Sequence, residues 1–343
     1  MTQMTRPLFR LALVALALLA PALPGTHSAA HAQTSYLGPA PRGWQGTFEQ
    51  DSVITIAVRP LAKGVFAAKV NYVWAGWVEL PDGILMVDAA MSWRAASTLA
   101  DTVRARSGER PFRYVVNTHP HRDHAGGDRY FASLGATIVV KDSVMGELRD
   151  VLQSTQAEGD STPDRPAKEP KIKRIGRRLD LGDSKRRPVR ILWLGRPAHT
   201  GGDLVVFLPK QKILFAGDLV WNRSVPWMMD PKMNVKGWLA SLDSLNAMRA
   251  KIDSLVPGHG VMTTPREAIG FTEQYIKDAK EKASTVASWG TTLRQVRDWG
   301  YLGAYEGLEF YQEIHFMNIR RLYNEALGIK TPGRRNPSPV KKS

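Results

Sequence analysis

Thr118-His119-Pro120-His121-Arg122-Asp123-His124 places four metal-ligand candidates within six residues, in the spacing H-x-H-x-D-H. Imidazole nitrogen and carboxylate oxygen are the donors that borderline divalent metals such as zinc prefer. Residues 114–117, Tyr-Val-Val-Asn, read as a short buried strand, and Ala125-Gly126-Gly127-Asp128 reads as a tight turn. A loop leaving a strand end can point His119 and His121 one way and Asp123 and His124 another. That arrangement suits two adjacent metals better than one.

Working outward, the protein has eight histidines. His27 and His31 fall in a stretch that reads as a removable leader. Three lie in the cluster just quoted. Two more sit in short Gly-flanked turns, Pro197-Ala198-His199-Thr200-Gly201-Gly202-Asp203 and Pro257-Gly258-His259-Gly260. Only His315 stands apart.

The leader reading covers residues 1–32. Arg6 and Arg10 supply a positive start, the apolar run 11–20 is short for a membrane span, and Ala30-His31-Ala32 offers a cleavage site. We therefore expect an exported protein, periplasmic or secreted, with no stable membrane insertion once the leader is cut. There are no cysteines, which excludes disulfides and thiolate ligands. The net charge of +15 is concentrated: residues 163–190 carry eleven Lys/Arg against four Asp/Glu, and the tail after Thr331 adds four more basic residues. A solvated hairpin and a loose, disordered tail over 331–343 account for it, and an exported protein is not expected to bind nucleic acid.

Alternation and turn residues predict strands at 53–58, 65–69, 71–80, 84–87, 114–117 and 137–140, then at 189–194, 204–208, 213–216 and 252–256. Helices are expected over 95–104, 143–152 and 239–248, and an exposed loop over 154–170. This order suggests two sheets packed face to face with helices outside, filling 33–264. Residues 265–330 read as a helical extension, with helices at 265–288, 291–299 and 309–327. Its aromatics (Trp289, Trp299, Tyr301, Tyr305, Phe310, Tyr311, Phe316 and Tyr323) either pack the extension onto the body or line a substrate entrance.

Taken together, H-x-H-x-D-H at 119–124, the Gly-flanked His199, Gly217-Asp218 at a strand end and Gly258-His259 resemble the metallo-β-lactamase-fold metallohydrolases, in order from about residue 71 to about residue 260. The resemblance implies an α/β fold, the four-layer αβ/βα sandwich, with the site where the two sheets meet. It implies a first metal on His119, His121 and His199, a second on Asp123, His124 and His259, and Asp218 bridging both, hence two Zn2+ per chain. Seven donors exceed one tetrahedral ion and suit two sites sharing a ligand and a water. Asp123 is the candidate catalytic residue, orienting the nucleophile or shuttling its proton. Asp88 is either a support for a ligand histidine or a strand-end turn residue. Trp74 and Trp77, on a hairpin that covers the site in relatives, and Trp221, Asn222, Arg223 and Trp227 are candidate substrate contacts. Arg223 would pair with a carboxylate and Asn222 would donate to an oxyanion; packing or exposure explains each equally well.

The function implied is an exported dinuclear zinc hydrolase. A metal-bridging hydroxide would cleave an ester, thioester, lactone or amide bond, β-lactams included, of a small-molecule substrate. The stretch 118–127 resembles hydroxyacylglutathione hydrolases, and the layout resembles exported metallohydrolases of quinoprotein systems. Two alternatives stay open. One is an iron-dependent, persulfide dioxygenase-like oxidoreductase. The other is a β-lactamase proper, against which the bridging Asp218 argues. A binding protein that had lost catalysis would be expected to lack some of the seven ligands.

Overall fold

The structure, a computed structural model, describes residues 53–159, 169–183, 185 and 187–329. The expected leader, the lead-in at 33–50, the core of the exposed loop (160–168) and the basic tail lie outside the described residues. Four strands open the described chain as an antiparallel meander: β1 (Ile56–Ala62), β2 (Val65–Val70), β3 (Val73–Leu80) and β4 (Gly83–Val87). Helix α1 (Trp93–Ser107) then crosses to β5 (Phe112–Val116). The short α2 (Arg122–Ala125) and α3 (Asp128–Ser133) lead to β6 (Thr137–Lys141), and α4 (Met145–Gly159) precedes β7 (Lys171–Ile175). Strands β4 to β7 run parallel, as helical crossovers require.

The second half starts with β8 (Arg178–Asp183), β9 (Arg187–Trp193), β10 (Leu204–Leu208) and β11 (Ile213–Asn222), again antiparallel. Helix α5 (Val235–Met248) crosses to β12 (Ser254–Gly260), parallel to β11. Then follow α6 (Pro265–Ser288), α7 (Leu293–Trp299) and α8 (Tyr311–Ala326). The sheet path is β7-β6-β5-β4-β3-β12-β11-β10-β9-β8, with β1 and β2 attached through β3. Where the two halves meet, β3 and β12 share a single register pair, Val73 with His259.

Side-chain alternation turns this path into layers. In β4, Leu85 and Val87 point into one core and Ile84 and Met86 into another; in β10, Leu204, Val206 and Leu208 part from Val205 and Phe207 in the same way. One core lies between the half-sheets, joining Val78, Leu85, Val116 and Val139 to Val189, Val206, Phe215 and Val256. A second packs β3 to β6 against α1, α3 and α4, and a third packs β10 to β12 against α5, α6 and α8. The result is the α/β/β/α sandwich. Buried on both faces, β4 and β10 read as continuous apolar runs.

Local chemistry sets the helix starts. Ser92 accepts from Ala95 N at the start of α1, and Ala95, Ala96, Leu99, Ala100 and Val103 form its buried stripe. Thr264 caps α6 ahead of Pro265, and Thr292 with Gln295 makes a capping box on α7.

Three elements depart from the sequence reading. Strand β1 runs through Pro60, which an edge strand tolerates because no ladder donor is lost there; the register shifts at that point. Helix α4 continues to Gly159, where a loop was expected from residue 154. Thr155 is buried and returns its hydroxyl to Val151 O, so a polar sequence is held helical by packing. The basic segment is split: β7 pairs with β6 at one end of the path, while β8 and β9 form the expected hairpin at the other. Among the described residues no helix is long and apolar enough to cross a membrane.

Candidate metal centre

The site gathers at strand ends along the seam between the half-sheets. Strand β5 delivers the loop 117–121, and His121, extended at φ −65° and ψ 149°, starts the one-turn α2 that carries Asp123 and His124. Asp88 follows the neighbouring β4. Its carboxylate accepts from Thr118 N at 2.7 Å and from Thr118 Oγ1 at 2.9 Å, and it faces His124 Nδ1 at 2.9 Å. Asp88 thus holds both the loop backbone and a histidine. His199 sits between β9 and β10, in a turn tied by Thr200 N and Oγ1 to the Asp203 carboxylate. Asp218 lies within β11 and His259 within β12.

Two glycines make this convergence possible. A Cβ on Gly258 would fall 1.9 Å from Asp218 Oδ1, and one on Gly217 would fall 2.6 Å from Thr118 Cβ, at a backbone φ of +52°. Only glycine lets β11, β12 and the metal loop approach so closely.

The seven candidate ligands form two groups: His119, His121, His199 and Asp218 in one, and Asp123, His124 and His259 in the other. Asp218 faces both. Its Oδ2 is 3.2 Å from His199 Nε2 and 3.6 Å from His119 Nε2. Its Oδ1 is 3.1 Å from His124 Nε2 and 3.4 Å from His259 Nε2. Asp123 Oδ2 reaches His259 Nε2 at 3.1 Å and His124 Nε2 at 3.6 Å.

The outer ring nitrogens fix which inner nitrogen is free. His124 Nδ1 bonds Asp88, His259 Nδ1 donates to Tyr72 O at 3.2 Å, and His119 Nδ1 lies 3.1 Å from Thr118 Oγ1. Each leaves Nε2 facing inward. His121 is reversed: its Nε2 bonds Asp230 Oδ2 at 3.1 Å, and its Nδ1 lies 3.0 Å from His199 Nε2. A carboxylate or carbonyl behind a ligating histidine sets its tautomer and raises its basicity.

Asp230 is the site residue that the sequence reading missed. It is buried and takes Lys232 N on its other oxygen. Its one outward sign is an acid in an otherwise apolar stretch, Val225-Pro226-Trp227-Met228-Met229-Asp230.

The cluster calls for positive charge. Burial opposes ionisation of Asp218, yet His259, His124, His119 and His199 hold its carboxyl well below the carboxylate range. Burial likewise opposes charge on His259, but Asp218 and Asp123 raise it to about 9. Burial pushes His119 well down, and His199 to about 3. His119 Nε2 and Asp218 Oδ1 have no hydrogen-bond partner. Converging lone pairs, buried carboxylates and orphaned atoms fit divalent cations with nitrogen and oxygen ligands.

The expected substrate contacts fare differently. Trp77 is fully buried on the helix side of β3, stacked on Phe66 at 4.6 Å and bonded through Nε1 to Ser107, so it cannot cover the site. Trp74 is half-buried and donates to Gly260 O at 3.0 Å, beside His259, as a brace for β12. Asn222 gives Nδ2 to Val261 O and Thr263 Oγ1, both at 2.8 Å, which removes it as an oxyanion donor. Arg223 is exposed in a turn at φ 57°, and Trp227 packs against the helical core. Trp221 stacks on His259 with centroids 3.9 Å apart. Phe310, from the extension, meets His259, Trp221 and Tyr72 edge-on at 6.1, 6.4 and 5.6 Å.

The fold and site define a metallohydrolase of the αβ/βα sandwich class. The model of the metallo-beta-lactamase superfamily matches residues 68–259, more than half the chain. The chain belongs to that superfamily and is a metal-dependent hydrolase of it. It is 25% identical over 262 residues to the acyl-coenzyme A thioesterase MBLAC2 of Gallus gallus, covering 67% of this chain and 91% of that protein. It is 27% identical over 197 residues to the metallo-beta-lactamase IND-1 of Chryseobacterium indologenes, covering 57% and 75%. Among solved structures, a metallo-beta-lactamase from Pontibacter korlensis superposes with a TM-score of 0.51 at 19% identity, over 65% of this chain and 99% of that one. The sec-alkylsulfatase Pisa1 of Pseudomonas sp. superposes at 0.57 and 14% identity, over 83% of this chain and 52% of that one.

Proposed function

We propose that the protein is an exported dinuclear zinc hydrolase that cleaves an ester-type carbonyl bond of a small molecule, with thioesters the leading class. The observation that carries two metals is Asp218, whose two oxygens face the two donor groups separately. His119, His121 and His199 would hold one ion, and Asp123, His124 and His259 the other. When bound, such ions polarise a carbonyl and bring the pKa of a water near 7. The rest is the work of the chain. Asp123, buried at the junction, takes the proton of the attacking water and returns it to the leaving group. Asp88, Asp230 and Tyr72 O keep the ring nitrogens aimed inward. Glycines at 217 and 258 keep the two donor groups close together. Thioesters come first because the similarity to the chicken acyl-coenzyme A thioesterase spans nearly that whole protein. Export rests on the leader read at 1–32.

Iron on the same donors, with redox chemistry, is the competing reading, because imidazole and carboxylate suit both metals. Metal analysis of the purified protein and a panel of thioesters, aryl esters, lactones and β-lactams, with and without chelator, separate the two. We expect two zinc ions per chain and thioester turnover that chelator abolishes. One iron per chain with no turnover of any panel substrate sinks the proposal.

A further inference from the structure

Between the start of α5 and the facing sides of α6 and α8 lies a cleft of about 500 Å³. Asn234, Val235 and Lys236 line it from α5, Lys280 from α6, and Arg321 and Glu325 from α8. Three of these are cations and one is an anion. Asn234 caps α5 by accepting from Gly237 N, so the N–H groups of Val235 and Lys236 have no intrahelical partner. Arg321 is only 7% exposed. Its Nη2 donates to Met233 O at 3.3 Å, while Nε and Nη1 have no hydrogen-bond partner. No carboxylate among the described residues forms an ion pair with it; Glu325, one turn along α8, and Asp230 act on it only through space. Asp230, the buried acid nearest in sequence to Met233, is already taken by His121 and Lys232 N. A buried guanidinium with two unpartnered donors is costly, and a helix start with open amides favours negative charge.

We propose that this cleft binds an anion of the phosphate or sulfate class, held by the first amides of α5 and by Lys236, Lys280 and Arg321. The site is wired to the metal centre. Arg321 holds Met233 O, Met233 N bonds Asp230 O, and Asp230 orients His121. Asn234 N bonds Ala198 O, one residue before His199. An anion that draws on Arg321 therefore acts on the segment that aims two histidines of the first donor group. The chemistry is shared by free phosphate and by a phosphate or sulfate carried on a substrate. The site does not depend on which bond the enzyme cleaves.

The test is calorimetric titration of the metal-loaded full chain with inorganic phosphate. It compares wild type, the exposed-lysine double variant Lys236→Glu/Lys280→Glu, and the control Lys251→Glu, with metal content measured in each. We expect saturable binding that the double variant weakens roughly tenfold or more and the control leaves intact. Phosphate bound at the metals would bind all three alike, and that result, or no binding, overturns the proposal. A second arm names the source. If the double variant raises KM only for a phosphate-bearing thioester and not for its dephosphorylated form, the anion is part of the substrate. If phosphate instead changes kcat on an uncharged ester, and the double variant abolishes that change, the anion is a free ligand. Either outcome supports the site.

Discussion

Asp123 offers an oxygen directly to one donor group, whereas Asp230 touches the other only through His121. Their removal should therefore read differently. Asp123→Ala is expected to lower kcat by roughly 10²–10⁴-fold while metal on the His119, His121 and His199 group persists; an active variant with normal kcat removes its role in proton transfer. Asp230→Asn keeps the shape but weakens the bond behind His121. Metal affinity should fall roughly 10–100-fold and excess metal should restore turnover; unchanged affinity in a chelator competition would show that His121 is oriented without it. The seven candidate ligands were legible because they concentrate in short Gly-flanked turns and one six-residue run. Asp230 was not, because it lies 109 residues from the histidine it serves. The choice between packing and an oxyanion contact stayed open for Asn222 for the same reason: its partners Val261 and Thr263 come from the segment after β12.

At the level of elements, the signals that held were periodicity and turn residues. The helices expected at 265–288 and 291–299 appear as α6 and α7 with nearly those bounds, whereas the end of α4 and the pairing of β7 with β6 depend on tertiary neighbours that local pattern does not contain. The aromatics of the extension differ in what they touch. Tyr305, Tyr311 and Tyr323 pack the helices, while Phe310, in the left-handed region at φ 66°, is held against His259. His315, the histidine outside the site, belongs to that packing. It is buried, accepts from Tyr275 OH at 3.0 Å and donates to Gly300 O at 2.9 Å, and burial lowers its imidazole from 6.5 to about 4. The folded state thus resists a proton that the unfolded chain accepts. Its contribution is full above pH 6.5 and is lost as pH falls toward 4, by roughly 3 kcal/mol. In metal-free protein the denaturation midpoint should drop from pH 7 to pH 5 more steeply in wild type than in His315→Gln. Equal slopes would place the acid sensitivity elsewhere.

Over the whole molecule, the donors straddle the seam. His119, His121, Asp123 and His124 come from the first half of the sandwich, and His199, Asp218 and His259 from the second. The half-sheets pair as strands at one register pair, which includes the candidate ligand His259. Alternation along each strand foretold two packed sheets, but not that they would join so narrowly, since a pair like Val73 with His259 leaves no local trace. The apolar core between the sheets keeps them together without metal, so the apo protein should stay folded. Loss of the ions, however, leaves buried carboxylates and inward-facing histidines to balance their own charge. A ligand bound only by the native state at 100 to 1,000 times its Kd stabilises by roughly 3–4 kcal/mol. In a chain of this size that corresponds to a fall in Tm on the order of 10 °C when the metals are stripped. The expected curve is a single cooperative transition, shifted down by chelator and restored by zinc. Asp218→Ala, which removes the one carboxylate facing both groups, should start low and respond weakly to either. If chelator takes the metal away and Tm does not move, the ions are catalytic passengers at the seam and the half-sheets need no help from them.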